Sequence, residues 1–189
     1  MRLEMRLFTA IELTGEARVA IDAEQKAIVS TLGGESRSIR FVRSEHLHLT
    51  LVFIGEVPDD ATKLVEAMSA DIGQRPFRLV FGGLGVFPAN GAPRVLWLGV
   101  VDGLRQAIDL HAHVAAKLTG AGVAVDKRPF HPHLTLARWR DGRRSPRPVL
   151  GTPGVVAAVD VSAVALVQSR LLPAGPSYTR LSQARLVCP

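Results

Sequence analysis

The hexamer His46-Leu47-His48-Leu49-Thr50-Leu51 returns later in the chain as His131-Pro132-His133-Leu134-Thr135-Leu136, identical at five of six positions. Side chains on a β-strand alternate between faces. Read as strands, the two copies place His46, His48 and Thr50, and His131, His133 and Thr135, on one face. Leu47, Leu49 and Leu51, and Leu134 and Leu136, fall on the other. Each strand then has an apolar face to bury and a His/Thr face to present. A lone His-x-Thr is common by chance. Two copies inside matching hexamers, in one chain of 189 residues, point to two halves of one site.

The repetition extends beyond the motif. Strand-forming residues at 6–13 correspond to those at 94–100, an apolar helical spacing at 16–32 to one at 103–118, and His48 to His133. These pairs begin 88, 87 and 85 positions apart. After each motif two further strands are expected, at 77–87 and 94–100 and then at 159–168 and 178–187. The period is too long for a solenoid. It implies a single domain spanning residues 1–189, built by internal duplication around motif strands near 46–54 and 131–139. Two similar lobes related by a pseudo-two-fold axis would bring the His/Thr faces together across a cleft.

Other segments read more plainly. Gly33-Gly34 stops the first helix, and Pro58-Asp59-Asp60 begins a second. The glycine run Gly82-Gly83-Leu84-Gly85 lacks the Lys and Ser/Thr of a P-loop and the spacing of a dinucleotide fingerprint, so it reads as a bulge. Residues 141–154 hold Arg143, Arg144 and Arg147 among prolines and glycines and read as a loop. His111 and His113 sit two apart on a helix and point apart. Cys188 is the only cysteine, which excludes an internal disulfide. With no apolar run long enough to cross a bilayer and an acid early in Met1-Arg2-Leu3-Glu4, a cytoplasmic protein is expected. The net charge of +6 suits a polyanionic partner such as RNA, once a site that needs phosphate stands beside it.

Two histidines and two threonines facing one another define a chemistry. Imidazole titrates near neutrality, so one neutral and one protonated ring supply a general base and a general acid at the same pH. A hydroxyl two residues along points the same way as its histidine and can donate to a bound oxyanion. The arrangement suits in-line phosphodiester chemistry without a metal. The residues alone leave open which histidine is the acid.

His48-Leu49-Thr50 and His133-Leu134-Thr135 resemble the paired H-x-T/S motifs of the 2H phosphoesterase superfamily. The context resembles its RNA 2′,3′-cyclic phosphodiesterase branch, formerly named 2′-5′ RNA ligase. The resemblance rests also on Arg6-Leu7-Phe8-Thr9-Ala10-Ile11-Glu12-Leu13, Gly83-Leu84-Gly85-Val86-Phe87-Pro88, Arg94-Val95-Leu96-Trp97-Leu98-Gly99, Arg128-Pro129-Phe130 and Val167-Gln168-Ser169-Arg170-Leu171. It covers nearly the whole chain. Two departures are His131, where a basic residue is expected, and the Pro- and Arg-rich 141–154 loop.

The resemblance implies a bilobal α+β fold, two lobes with mainly antiparallel sheets and flanking helices around a central cleft. It implies hydrolysis of RNA or nucleotide 2′,3′-cyclic phosphate ends to 2′-phosphates, with 2′-5′ ligase activity alongside, no cofactor and no obligate protein partner. By the same analogy His48 protonates the departing 3′-oxygen, His133 activates water, and Thr50 and Thr135 hold the phosphate. It also suggests a basic residue at Arg138 near the substrate. Strand parity opposes this, because Arg138 falls on the face of Leu134 and Leu136 unless a bulge or strand end turns it. His46 and His131 are expected to flank the site and tune binding.

Two other classes compete. A metal hydrolase would use the pairs His46/His48 and His131/His133, but no carboxylate accompanies them at a fixed offset and a metal gives no reason for both threonines. A non-catalytic RNA-binding module fits the charge, yet needs no acid-base pair, and aromatic residues are only 5% of the chain, sparse for a stacking platform.

Overall fold

The computed structural model describes residues 5–57, 61–126, 128–140, 154–173 and 175–189. The expected helix start at 58–60 and nearly all of the 141–154 loop lie outside these residues. Among these residues ten strands form two five-stranded sheets, with helices packed against them.

The first strand, β1 (Met5–Glu12), leads into α1 (Gly15–Leu32). Thr14 caps that helix, its Oγ1 accepting from the Ala17 amide at 3.3 Å. Ala17, Ile21, Gln25, Ile28 and Leu32 form its buried face, at helical spacing. Gly33, at φ +52°, ends it as expected. There follow β2 (Ile39–Phe41), β3 (His48–Val57), α2 (Thr62–Ala67), β4 (Ile72–Gly73), β5 (Phe77–Phe87) and β6 (Val95–Asp102). Next come α3 (Leu104–Gly120), β7 (His133–Trp139), β8 (Val155–Val161), β9 (Ala163–Leu172) and β10 (Gly175–Val187).

One sheet runs β3-β1-β9-β10-β4 and the other β2-β7-β6-β5-β8. Each motif strand pairs antiparallel with the strand that opens its half of the sequence, β3 with β1 and β7 with β6. The next neighbour comes from the other half: β9 flanks β1, and β5 flanks β6. The strands expected to follow each motif in its own lobe therefore cross over. The single strand expected at 159–168 is in fact two. It breaks at Ser162, where the chain leaves one sheet as β8 and enters the other as β9. Alternation of apolar residues identifies strands but carries no record of which partner each will take.

The glycine run stays within β5, which shifts register against β6 between Gly82 and Leu84, so the expected bulge is present. One continuous apolar cluster joins both sheets, including Leu7, Ile11, Ile21, Leu49, Leu98, Leu134 and Leu166. α1 packs against β8 and α3 against β3, so each helix lies on a strand of the sheet its own leading strand does not join. The sheets are thereby held in fixed relation. Among the described residues no helix is long and apolar enough to cross a membrane.

Candidate active site

A cavity of about 310 Å³ lies between the sheets. His48, Thr50, His133, Thr135 and Arg138 all line it, as does His46. His131 is not among the lining residues. The motif strands are shorter than the hexamer reading implies, beginning at His48 and His133. His46 instead ends a 3-10 turn at Ser44–His46, and Pro132, with no N–H to offer a ladder, precedes β7.

Shortening the strands gives each preceding histidine a role for its backbone. His48 Nδ1 lies 2.7 Å from the His46 carbonyl oxygen, and His133 Nδ1 lies 2.7 Å from that of His131. A carbonyl only accepts, so Nδ1 carries a proton in each ring. Nε2 is left as the nitrogen that titrates. The same device fixes the tautomer in both halves.

Partial burial strips water from both rings and holds their pKa values below the usual one. For His48 desolvation is the largest effect. The bond to the His46 carbonyl opposes it, the His46 and Arg18 charges add to it, and Glu12 opposes it. His133 is lowered first by desolvation, against its bond to His131, with the charges of His131 and Arg138 lowering it further. The surrounding rings account for the dry setting. Phe8 stacks on His48 at 4.8 Å between centroids, and Tyr178 meets its edge at 5.4 Å. Phe87 meets His133 at 5.0 Å and Trp97 lies 6.2 Å away. Trp97 fits there because β5 has glycine opposite it: a Cβ on Gly85 would collide with the indole ring.

The parity objection to Arg138 is resolved by a β-bulge. In the β6–β7 ladder Leu96 pairs with Ala137 and Trp97 with Thr135, so Leu136 is the extra residue. Leu136 and Ala137 are consecutively buried, the alternation resets, and Arg138 emerges on the face of Thr135. The first half has the same bulge. Thr9 pairs with Val52 and Ala10 with Thr50, Leu51 is skipped, and Leu51 and Val52 are both buried. Phe53 then turns into the cavity, 58% exposed. Without the bulges both side chains would face the core.

Each bulge is held by a different polar side chain. Thr9 Oγ1, fully buried, accepts from the Val52 amide at 3.1 Å. Gln25 Nε2, from α1, donates to the carbonyls of Leu136 and Val42, both at 3.0 Å, and the Val42 amide also donates to Leu136 at 2.8 Å. A helix that follows the first sheet's strand thus clamps the bulge of the second. Sequence reasoning missed Thr9 and Gln25, and also Arg6, Phe8, Phe53, Ser169 and Tyr178 in the cavity wall. Thr9 and the wall residues sit on strands and Gln25 on a helix, and the partners of Thr9 and Gln25 lie far off in sequence. Among the described residues no three His, Cys, Asp or Glu side chains converge as a metal site would require.

Two crossed-over sheets carrying paired His-x-Thr strands make the fold of a 2H phosphoesterase. Within that class the chain belongs to the 2′-5′ RNA ligase superfamily, whose model matches residues 21–170. An RNA 2′,3′-cyclic phosphodiesterase of Aeropyrum pernix is 37% identical over 78% of this chain and 86% of its own length. One from Thermus thermophilus is 36% identical over 96% and 90%. The crystal structure of E. coli LigT in its apo form superposes with a TM-score of 0.79 at 29% identity, covering 97% of this chain and 98% of that one.

Proposed function

We propose that this protein hydrolyses the 2′,3′-cyclic phosphate ends of RNA or nucleotides to 2′-phosphates by metal-free acid-base catalysis. The observation that carries the reading is the matched pair of rings, each with Nδ1 bound to the carbonyl two residues earlier, lining one cavity with both threonines. The names of the related enzymes support the substrate class.

His133 Nε2 takes a proton from water as the water oxygen bonds to phosphorus. The bond from phosphorus to the ribose 3′-oxygen breaks, and His48 Nε2 gives that oxygen its proton. Thr50 and Thr135 donate to the non-bridging oxygens as negative charge builds, and Arg138 offsets it. A ribose 5′-hydroxyl in place of water would form a 2′-5′ phosphodiester by the same step. The depressed histidines fit an anionic substrate: the phosphate supplies the negative charge that stabilises an imidazolium the empty cavity disfavours. Duplication of a strand–helix–strand unit, with a later strand of each half exchanged between sheets, accounts for the paired site. A cytoplasmic setting accords with the single free thiol, Cys188.

The test is incubation with a 2′,3′-cyclic mononucleotide in EDTA, with product identification. A 2′-phosphate formed in EDTA is expected. Full inhibition relieved by a divalent ion would overturn the metal-free mechanism, and a 3′-phosphate product would overturn the leaving-group assignment.

A further inference from the structure

The two motif strands differ in position within their sheets. β3 is an edge strand, whereas β7 has β2 outside it. In the β2–β7 ladder Arg40 pairs directly with Arg138. Residues opposite one another on adjacent strands project from the same face, so Arg40 stands on the cavity side, one strand spacing of about 4.8 Å outward. Arg140 lies two residues past Arg138, with buried Trp139 between, and its amide bonds to the Ser38 carbonyl at 2.9 Å. It continues the same exposed face. Arg40 also reaches the opposite sheet: its Nη2 would lie 3.6 Å from a Cβ placed on Gly175, at the start of β10. That puts a guanidinium across the end of the cleft, beyond the cavity wall.

These charges find no carboxylate among the described residues. Arg6, Arg105, Arg128, Arg180 and Arg185 each pair with a carboxylate. Among the described residues no carboxylate pairs with Arg40, Arg138 or Arg140. Like charges directly opposite on neighbouring strands repel and destabilise a sheet, so the arrangement is one that a polyanion would relieve. The cavity, at about 310 Å³, has room for a single terminal nucleotide. Anything attached to the 5′ side of that nucleotide must extend beyond the cavity.

We propose that Arg40 and Arg140 form a backbone-binding rim for single-stranded RNA. They would hold the phosphodiesters 5′ to the cyclic end, so that these two side chains favour an oligonucleotide over a mononucleotide. This rests on the cyclic-phosphate reading above. The contacts go to phosphates and carry no base preference.

The experiment compares wild type with Arg40→Gln, Arg140→Gln and the double variant on two substrates, a 2′,3′-cyclic mononucleotide and a short RNA ending in the same group. At low salt the double variant should lose roughly ten-fold in kcat/KM on the RNA and keep its mononucleotide activity. Binding of a labelled single-stranded RNA with a 2′-phosphate end, followed by fluorescence anisotropy, should weaken in parallel. The slope of log affinity against log salt should flatten by about 0.7 for each contact removed. Equal losses on both substrates, or unchanged RNA binding and salt slope, would overturn the proposal. If wild type hydrolyses neither substrate, the cyclic-phosphate reading fails, while the anisotropy arm still decides the arginine rim.

Discussion

The half of the site around His48 and the half around His133 share a frame and differ in its dressing. Both have a histidine whose Nδ1 bonds back to a carbonyl, a threonine two residues on, and a bulge one residue after that. Yet the side chain released by the bulge is Phe53 in one half and Arg138 in the other. The first histidine is covered by Phe8 and Tyr178, the second by Phe87 and Trp97. On the proposed mechanism, the shared parts are those a proton relay on phosphorus needs twice. The unshared parts are those an asymmetric substrate needs once, since a nucleotide has its anion on one side and its apolar base on another.

The largest expected effects test the shared frame. His48→Ala and His133→Ala should each lower kcat by roughly 10²–10⁴-fold, measured on a cyclic mononucleotide at the wild-type optimum. A loss confined to one histidine would break the equivalence of the halves. Thr50→Val and Thr135→Val should cost less, on the order of 10–100-fold in kcat, because a hydroxyl at either position is realised most fully as charge builds on the oxygens.

The unshared parts should separate binding from turnover. Arg138→Ala is expected to raise KM about ten-fold, since it removes a cation from one side of the anion. Phe53→Ala should change KM less, and any change should vary with the base. An Arg138→Ala variant with unchanged KM would remove that residue from the site.

The two clamps offer a subtler division. Gln25→Leu withdraws one of two donors from the buried Leu136 carbonyl and should cost about 1–3 kcal/mol in unfolding free energy. Because the Leu136 bulge aims Arg138, it should also raise KM in the direction of Arg138→Ala. Thr9→Val leaves the Val52 amide without its acceptor, costs a similar amount, and should spare that KM effect.

Acidity gives the smallest signal. Both rings titrate below the ordinary value of about 6.5 in the free protein. The profile of kcat/KM, which reports the free enzyme, should therefore be a bell displaced to the acid side. Bound phosphate raises the acid's pKa, so the alkaline limb of kcat should lie at higher pH. For stability the sign follows from the same depression. The unfolded chain takes up protons below about pH 6.5 that the folded rings refuse, so the contribution is present above that pH and lost as pH falls through the folded values. Thermal unfolding should show this acid loss reduced in a His48→Gln, His133→Gln double variant.

Much of the candidate site's geometry was legible because its sequence pattern is local. His48, Thr50, His133 and Thr135 announce themselves by spacing, and alternation correctly assigned their faces. Arg138 could not be placed that way, because a bulge is a property of the ladder and not of either strand alone. The exchange of β5 and β9 between sheets was hidden for the same reason: β9 pairs with β1 and β5 with β8 across more than seventy residues, and alternating apolar residues fit many neighbours. Gln25 is the extreme case. It sits on the buried stripe of a helix where an apolar residue would serve, and the Leu136 and Val42 carbonyls explain it.

The central claim is that the two halves act as one acid-base unit. A double-mutant cycle on kcat with His48→Ala, His133→Ala and the pair tests it most directly. The account predicts that the double variant loses little more than the worse single one, because removing either partner already disables the relay. Losses that multiply, each histidine contributing its full factor regardless of the other, would contradict it.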